Sequence, residues 1–396
     1  MIRTRLSFPR LASEARCRSN RRRTTPRIRL GLERLRPVLT RLSHPEDDFA
    51  SLLIAGTNGK GSVAALLENV LRTAGYRTGL YTSPHLVSPA ERVRVNGTNI
   101  AGAEWKRLLR QVADAAGRSR QELTEFESQT LAAYLHFQNE KVDIAVVEVG
   151  LGGRLDATNT LPAPEATVIT SIGHDHLSWL GPTLRDVLHE KMGILRHGVP
   201  HFQSLPPSLD PRSSVGPALS STLNRDILVK GKHVDWVNRM QVFSVSLPHG
   251  TYKNLKIHLL GRHQLNNAAL AVAVLDSLKR RGWNISDSHL RRGLLRASWP
   301  GRFQVFNARP GGRPRTLLDG AHNPEAMDSL AAAYRASPWG KESATLIFGC
   351  LKDKDANGLI ERLRPLVRRV FTVPLPTTRS RSARTLARMW SRFRPA

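Results

Sequence analysis

The stretch that most constrains the fold is "SLLIAGTNGKGSVAALLENVLRTAG", residues 51–75. An apolar run ends in glycine, a short polar loop follows, and an amphipathic segment comes next. Val63, Leu66, Leu67, Val70 and Leu71 recur at helical spacing, and Gly75 marks the helix end. A buried strand, a glycine-rich turn and a helix in that order make a phosphate cradle. Glycines let backbone N–H groups converge on oxygens, and the helix N-terminus adds positive potential. Gly56, Thr57, Asn58, Gly59, Lys60, Gly61 and Ser62 are therefore candidate nucleotide contacts, with Lys60 placed to bridge terminal phosphates. The strict pattern G-x-x-x-x-G-K-[ST] nevertheless fails: Ile54 stands where the first glycine belongs, and Gly61 follows Lys60. Gly61 offers no hydroxyl to a magnesium ion, so Ser62, or Ser83 at the end of the next strand, is the candidate substitute. The bland alternative is a glycine turn with a solvated lysine.

The rest of the chain continues the alternation. "RIRLGLERLRPVLTRL" spaces Leu30, Leu32, Leu35, Val38, Leu39 and Leu42 as an amphipathic helix. "YRTGLYTS" reads as a strand, "GAEWKRLLRQVADAAG" and "FESQTLAAYLHFQNE" as helices, and "VDIAVVEVG" and "ATVITSIG" as strands, the former apolar on both faces as parallel sheets require. This predicts a parallel sheet with helices on both sides. Residues 200–260, with "SLPPSLDP" and "MQVFSVSLP", read as an insertion of loops and short antiparallel strands, and "HQLNNAALAVAVLDSLKRRG" as a helix. "SWPGRF" is a Pro/Gly break. Beyond it "RTLLDGAHN", "SATLIFGC" and "VRRVFTVPL" alternate with helical segments, which suggests a second, smaller α/β domain. The expected divisions are a basic arm over 1–26, disordered in this reading, an ATP-binding domain over 27–298 and a smaller domain over 299–396.

Composition narrows the function. The net charge is +28, but residues 1–30 and 361–396 each hold ten Arg and one Glu, so the ends carry most of it. A protein that reads nucleic acid would spread its basicity over a folded face, so nucleic acid is not the expected partner. No apolar run is long enough to span a membrane. Two distant cysteines, Cys17 and Cys350, cannot build a disulfide framework or a cysteine zinc site, which fits the cytoplasm. The Arg- and Ser-rich N-terminus leaves a mitochondrial address as the minor alternative.

Acids and histidines supply the chemistry. Glu148 ends the strand "DIAVVEV", at the carboxyl edge where ligands bind in such sheets. A carboxylate there needs a partner, either a metal or Arg154. His174 and His176 flank Asp175, and period-two spacing puts both imidazoles on one side, so either can coordinate by position alone.

"GTNGKGS", "YTSPHL", "ERVRVNG", "LTEFE", "EVGLGGRLDATN", "TSIGHDHLSWLG", "EKMGILRHGVP", "GRHQLNNAALA", "PGRF" and "LDGAHNP" follow one another from about residue 30 to 355. In this order they resemble the folylpolyglutamate synthase/dihydrofolate synthase family, amide ligases related to the Mur ligases. The resemblance implies a P-loop parallel-sheet ATPase domain followed by a Rossmann-like glutamate-ligase domain. It implies ATP and two magnesium ions, a possible potassium ion, and a monomer acting on dihydropteroate or a folate with L-glutamate. It implies Ser83, Glu148 and His176 as magnesium ligands and a carbamylated Lys191. It gives Asn266 or Asn267, Arg302 and Asp319 to the nucleotide and His322 to glutamate. Ser83, Pro84, His85 and Phe126 fall in stretches that touch the pterin; Phe126, at a helix start, reads equally as a buried aromatic. Pro89 departs from the family, which commonly has an aromatic near this position. The family also continues past "RSARTLARMW", so a shortened second domain and impaired closure are expected alternatives. The rival functions are another Mur-type ligase and a nucleotide-binding protein with impaired ligase activity.

Overall fold

The structure, a computed structural model, describes residues 29–205, 209, 220–308, 312 and 314–392. The expected N-terminal arm over 1–26 lies outside the described residues. Elements in chain order are α1 (Leu35–Arg41), β1 (Ala50–Ala55), α2 (Lys60–Thr73), β2 (Thr78–Tyr81), β3 (Val93–Val95), β4 (Thr98–Asn99), α3 (Gly102–Arg118), α4 (Glu125–Asn139), β5 (Ile144–Glu148) and β6 (Ala166–Ile169). They continue with α5 (Leu177–Leu180), α6 (Leu184–Met192), β7 (His201–Gln203), β8 (Ser220–Thr222), β9 (Leu228–Asp235), β10 (Met240–Leu247), β11 (Gly250–Ile257), α7 (Arg262–Arg280) and α8 (Asp287–Arg296). After 297–303 come β12 (Gln304–Phe306), β13 (Thr316–Leu318), α9 (Pro324–Ala336), β14 (Ala344–Phe348), α10 (Ala356–Leu363), β15 (Val367–Thr372) and α11 (Ala383–Arg392).

The large sheet has the order β4-β3-β2-β5-β1-β6-β7-β8. From β2 to β8 every pairing is parallel, while β3 and β4 run antiparallel at one edge. β1 lies between β5 and β6, so its carboxyl end opens at the middle of the sheet. The physical cause is burial on both faces: β1, β5 and β6 carry almost no exposed residue, and an apolar strand without a polar face must be covered twice. One cover is α2, α7 and α8 with the β9–β11 hairpins; the other is α1, α3 and α4. The five periodic residues of α2 are all fully buried, each contributing about 1.5–3 kcal/mol of burial.

Two expectations are corrected. Of the amphipathic helix expected over 27–42, residues 27 and 28 lie outside the described residues, and the rest shrinks to the seven residues of α1, because Gly31 at φ +130° breaks the path before it. Of the described part of residues 200–260, β7 and β8 are not antiparallel but extend the parallel sheet, while β9–β11 form an antiparallel sheet with eight-residue strands rather than short ones.

The carboxyl-terminal lobe is thinner. β12 pairs with β13 antiparallel and β14 with β15 in parallel, as two separate two-stranded sheets. Helices α9, α10 and α11 pack Met327, Ile360, Leu386 and Trp390 with Phe348 of β14, covering one face of β14–β15. A small apolar joint, Leu260, Phe303, Val305 and Ala333 with Trp236 and Trp339, ties the lobe to the β9–β11 sheet. No helix of the described residues is long and apolar enough to cross a membrane.

Candidate active site

The carboxyl ends of β1, β5 and β6 meet the second lobe at a cleft of about 320 Å³, at the lower end of the range for small-molecule sites, roughly 300–1,000 Å³. The loop after β1 forms its floor. Gly59, with φ +89°, is the N-cap of α2, and a side chain there would also strike Asn267. Gly61 has a different reason. A Cβ at this position would lie 2.8 Å from the Trp299 indole nitrogen, so the ring occupies the space that Ser or Thr takes in the strict motif. Arg94 stacks over the same indole, 5.2 Å from its centroid. Trp299, in the interlobe segment, thus explains the variant loop; its only sequence signal was the Pro/Gly break that contains it.

Lys60 Nζ donates to the carbonyls of Gly56 (3.0 Å) and Thr57 (3.3 Å) and lies 3.9 Å from Glu148 Oε1. Asn58 is held by β6-end hydroxyls: its N–H donates to Ser171 Oγ (2.9 Å) and its carbonyl accepts from Thr170 Oγ1 (2.6 Å). Ser62 Oγ is buried in the cleft wall without a hydrogen-bond partner among the described residues.

Glu148 closes β5, opposite Ile54 of β1. It is buried, and burial raises its pKa against the opposing pull of Lys60. Its Oε2 accepts from the Ser83 N–H at 3.3 Å. Arg154 is not its partner; that guanidinium binds Glu190 at 2.8 Å. His176 has φ +54°, so the chain is no longer extended and the period-two expectation fails. His176 lines the cleft, whereas His174 leaves it and takes Glu325 of the second lobe at 2.9 Å. Burial lowers the His176 pKa to about 4, which keeps the ring neutral with a free lone pair. Among the described residues no three His, Cys, Asp or Glu side chains gather as a metal cage. One buried carboxylate, one neutral imidazole and nearby hydroxyls instead suit an open magnesium site completed by phosphate oxygens.

Lys191, on α6, is buried in the cleft wall, and burial together with the Lys60 charge lowers its pKa to about 7. Asn266 and Asn267 lie in the first turn and a half of α7; Asn266 is half-buried, while Asn267 is buried and donates to Gln264 (3.0 Å). Arg302 donates to the Gly301 carbonyl (3.1 Å) and lines the cleft. Asp319 is first a turn residue, accepting from the N–H groups of Phe303 (2.7 Å) and Ala321 (2.8 Å), and also faces the cleft. His322 lies 3.3 Å from Asp175.

Ser83 and Pro84 line the cleft, but His85 and Phe126 do not. His85 Nδ1 accepts from Arg92 at 3.0 Å. Phe126 packs on the Gly150 backbone and sits 6.1 Å from the Tyr81 ring, so it is a half-buried aromatic one layer behind the wall. Pro89 starts a short 3-10 turn capped by Ser88, and Glu91 accepts the N–H groups of Leu86, Val87 and Ser88. Sequence reasoning missed His263 and Asp175 as cleft residues. Asp175 carried a signal, since it stands between two histidines in a loop at a strand end.

An ammonium group in a strand–loop–helix cradle, facing a buried carboxylate and a neutral imidazole under a second α/β lobe, defines an ATP-dependent ligase of Mur type. Residues 54–275 match the Mur ligase middle domain and 301–394 the Mur ligase glutamate ligase domain. The chain is 34% identical to dihydrofolate synthase/folylpolyglutamate synthase of Bacillus subtilis, over 91% of this chain and 84% of that protein. The structure matches Escherichia coli FolC in complex with DHPP and ADP at a TM-score of 0.82 and 35% identity, over 92% of this chain and 84% of that one. It also matches a bifunctional folylpolyglutamate synthase/dihydrofolate synthase with Mn, AMPPNP and L-glutamate bound, at a TM-score of 0.78 and 34% identity, over 92% and 84%. The chain belongs to the dihydrofolate synthase/folylpolyglutamate synthase family.

Proposed function

We propose that the chain joins L-glutamate to dihydropteroate and to folates, taking both acceptors at one site. The observation that carries this reading is the convergence of Lys60, Glu148, His176, Lys191 and Arg302 on one cleft between the lobes. The acceptor carboxylate attacks the γ-phosphorus of ATP and ADP leaves. The glutamate amine then attacks the acyl phosphate, loses a proton, and inorganic phosphate departs. Lys60 and Arg302 hold phosphate charge, and the loop N–H groups and the start of α2 orient it. Ser83, Glu148 and His176 would hold magnesium, which when bound would supply further charge neutralisation at the phosphates. Lys191 is the carbamylated residue of this reading: its dry surroundings and the neighbouring ammonium favour the neutral amine that carbon dioxide requires. Asn266 faces the nucleotide, and Asp319 and His322 bring the glutamate side of the second lobe to it. No side chain acts as a nucleophile, so catalysis is positioning and electrostatics. Residues 27–298 form the nucleotide-binding domain of this scheme and 299–396 the glutamate-ligase domain.

The test is phosphate release from ATP with purified protein and glutamate, comparing dihydropteroate, tetrahydrofolate and no acceptor. Release with both acceptors and not without them is expected. Release with one alone restricts the substrate, and release with neither overturns the ligase reading.

A further inference from the structure

The two lobes meet at the rim of the cleft through a polar hub, with the His174–Glu325 pair (2.9 Å) as a second crossing contact. Asp175, in the loop after β6, has a side chain only 9% exposed. Its Oδ1 pairs with Lys354 Nζ, and its Oδ2 lies 3.3 Å from both His322 Nε2 and Asn323 Nδ2. These three partners come from the second lobe: Lys354 from the loop between β14 and α10, with its side chain 12% exposed, the other two from the turn before α9; within its own loop Asp175 Oδ1 also accepts the His176 N–H at 2.9 Å. Beside the hub, Asn323 and Asn58 of the phosphate loop exchange amide hydrogen bonds in both directions, at 3.0 and 3.1 Å. Asn323 Oδ1 also caps α9 by accepting the Ala326 N–H at 3.0 Å.

Exposed ion pairs contribute little, because water screens them and long side chains lose freedom. This pair is largely out of water on both sides. Removing the ammonium alone leaves a shielded carboxylate with the His322 ring, the Asn323 amide, the His176 N–H at 2.9 Å and the His176 ring at 3.8 Å but without its lysine, a less compensated state that opens the lobes to rehydrate. The joint at Trp236, Phe303 and Trp339 stays intact in such an opening, since it lies near the interlobe segment.

We propose that Lys354 is a positioning residue: its ion pair with Asp175 holds His322 and Asn323 of the second lobe over the phosphate loop. This goes beyond the ligase reading and does not depend on which acceptor is used. The test uses the full chain with Cys17→Ser and nitroxide labels on Lys106→Cys and Arg388→Cys, exposed positions of α3 and α11. Interlobe distances are measured by electron–electron resonance with and without AMPPNP, for the labelled parent, Lys354→Met and Lys354→Arg. Lys354→Met is expected to lengthen and broaden the distance distribution and to raise the KM for glutamate about tenfold, within the range usual for coupled sites, with kcat changed less. Lys354→Arg restores both. A distance distribution in Lys354→Met identical to the parent overturns the proposal, whatever happens to turnover. If Lys354→Met fails to fold, Lys354→Gln carries the same measurement. The distance readout needs no acceptor, so its failure is separate from failure of the ligase assay.

Discussion

β1 and β14 are both short parallel strands of similar composition, yet they live in opposite surroundings. In β1 five of six residues are buried, and helices cover both faces. In β14 only Phe348 is buried; Ile347 is 73% exposed, and its register partner Phe371 in β15 is 53% exposed. The first sheet is a rigid frame with an independent core. The second is a two-layer plate, attached by an apolar joint, the polar hub at Asp175 and the His174–Glu325 pair. A ligase needs this inequality: the phosphate loop must not move, while the lobe that brings the amine must.

The sharpest test of the frame is Lys60→Ala. Turnover should fall by about 10²–10³, as when one preorganised charge-stabilising donor is lost, with an unchanged melting curve. Steady-state kinetics and calorimetry check this pair of outcomes; near-normal turnover removes Lys60 from the phosphate site.

Leu67→Ala, inside the frame, should cost about 2–5 kcal/mol in urea unfolding, because α2 is packed on the sheet with no space to relax. Equal loss from a truncation on the open face of β14 would erase the contrast between the lobes.

Acid should weaken the same frame. His201, in β7, is fully buried between Thr167 and Gln203, and burial lowers its pKa from 6.5 to about 4. The folded state then binds fewer protons than the unfolded chain between those values, so stability falls as pH drops from 6.5 toward 4. The loss is about 3 kcal/mol. His201→Gln should flatten that slope in denaturant titrations followed across pH.

Lys191 sharpens the comparison inside the site. Protonation below about pH 7 removes the neutral amine, so turnover should decline there and respond to added bicarbonate. A kcat profile that is flat from about pH 6 to about 8.5 and indifferent to bicarbonate would remove the carbamate.

The smallest effect is expected at Ile347→Thr: a change within about 0.5 kcal/mol in unfolding free energy, since the side chain already faces solvent.

How much of this was legible beforehand follows from the range of each signal. The strand–loop–helix around Lys60, the alternation of β1 to β6, the end of β5 at Glu148 and the break at "SWPGRF" are local patterns, written in periodicity and glycine placement. The helix over 27–42 was overread because leucine spacing said helix while Gly31 turned the chain. The rotation of His174 toward Glu325 and of His176 into the cleft was invisible, since it depends on a left-handed residue that no periodicity marks. Phe126 was ambiguous by sequence because its neighbour, Gly150, is twenty-four residues away and meets it only in the fold.

By itself the sequence determined the order of elements and the phosphate loop, because backbone preference and hydrophobic period act over a few residues; the candidate ligands came from the resemblance of its motifs. Only tertiary structure decided why Gly61 is glycine, why Lys191 loses its proton near neutrality, and that Asp175 ties the lobes together. Each of these is set by groups distant in sequence and brought close by packing: Trp299 against Gly61, the burial of Lys191 with Lys60 beside it, and Lys354 on Asp175. Desolvation and Coulomb forces depend on that proximity and not on position along the chain.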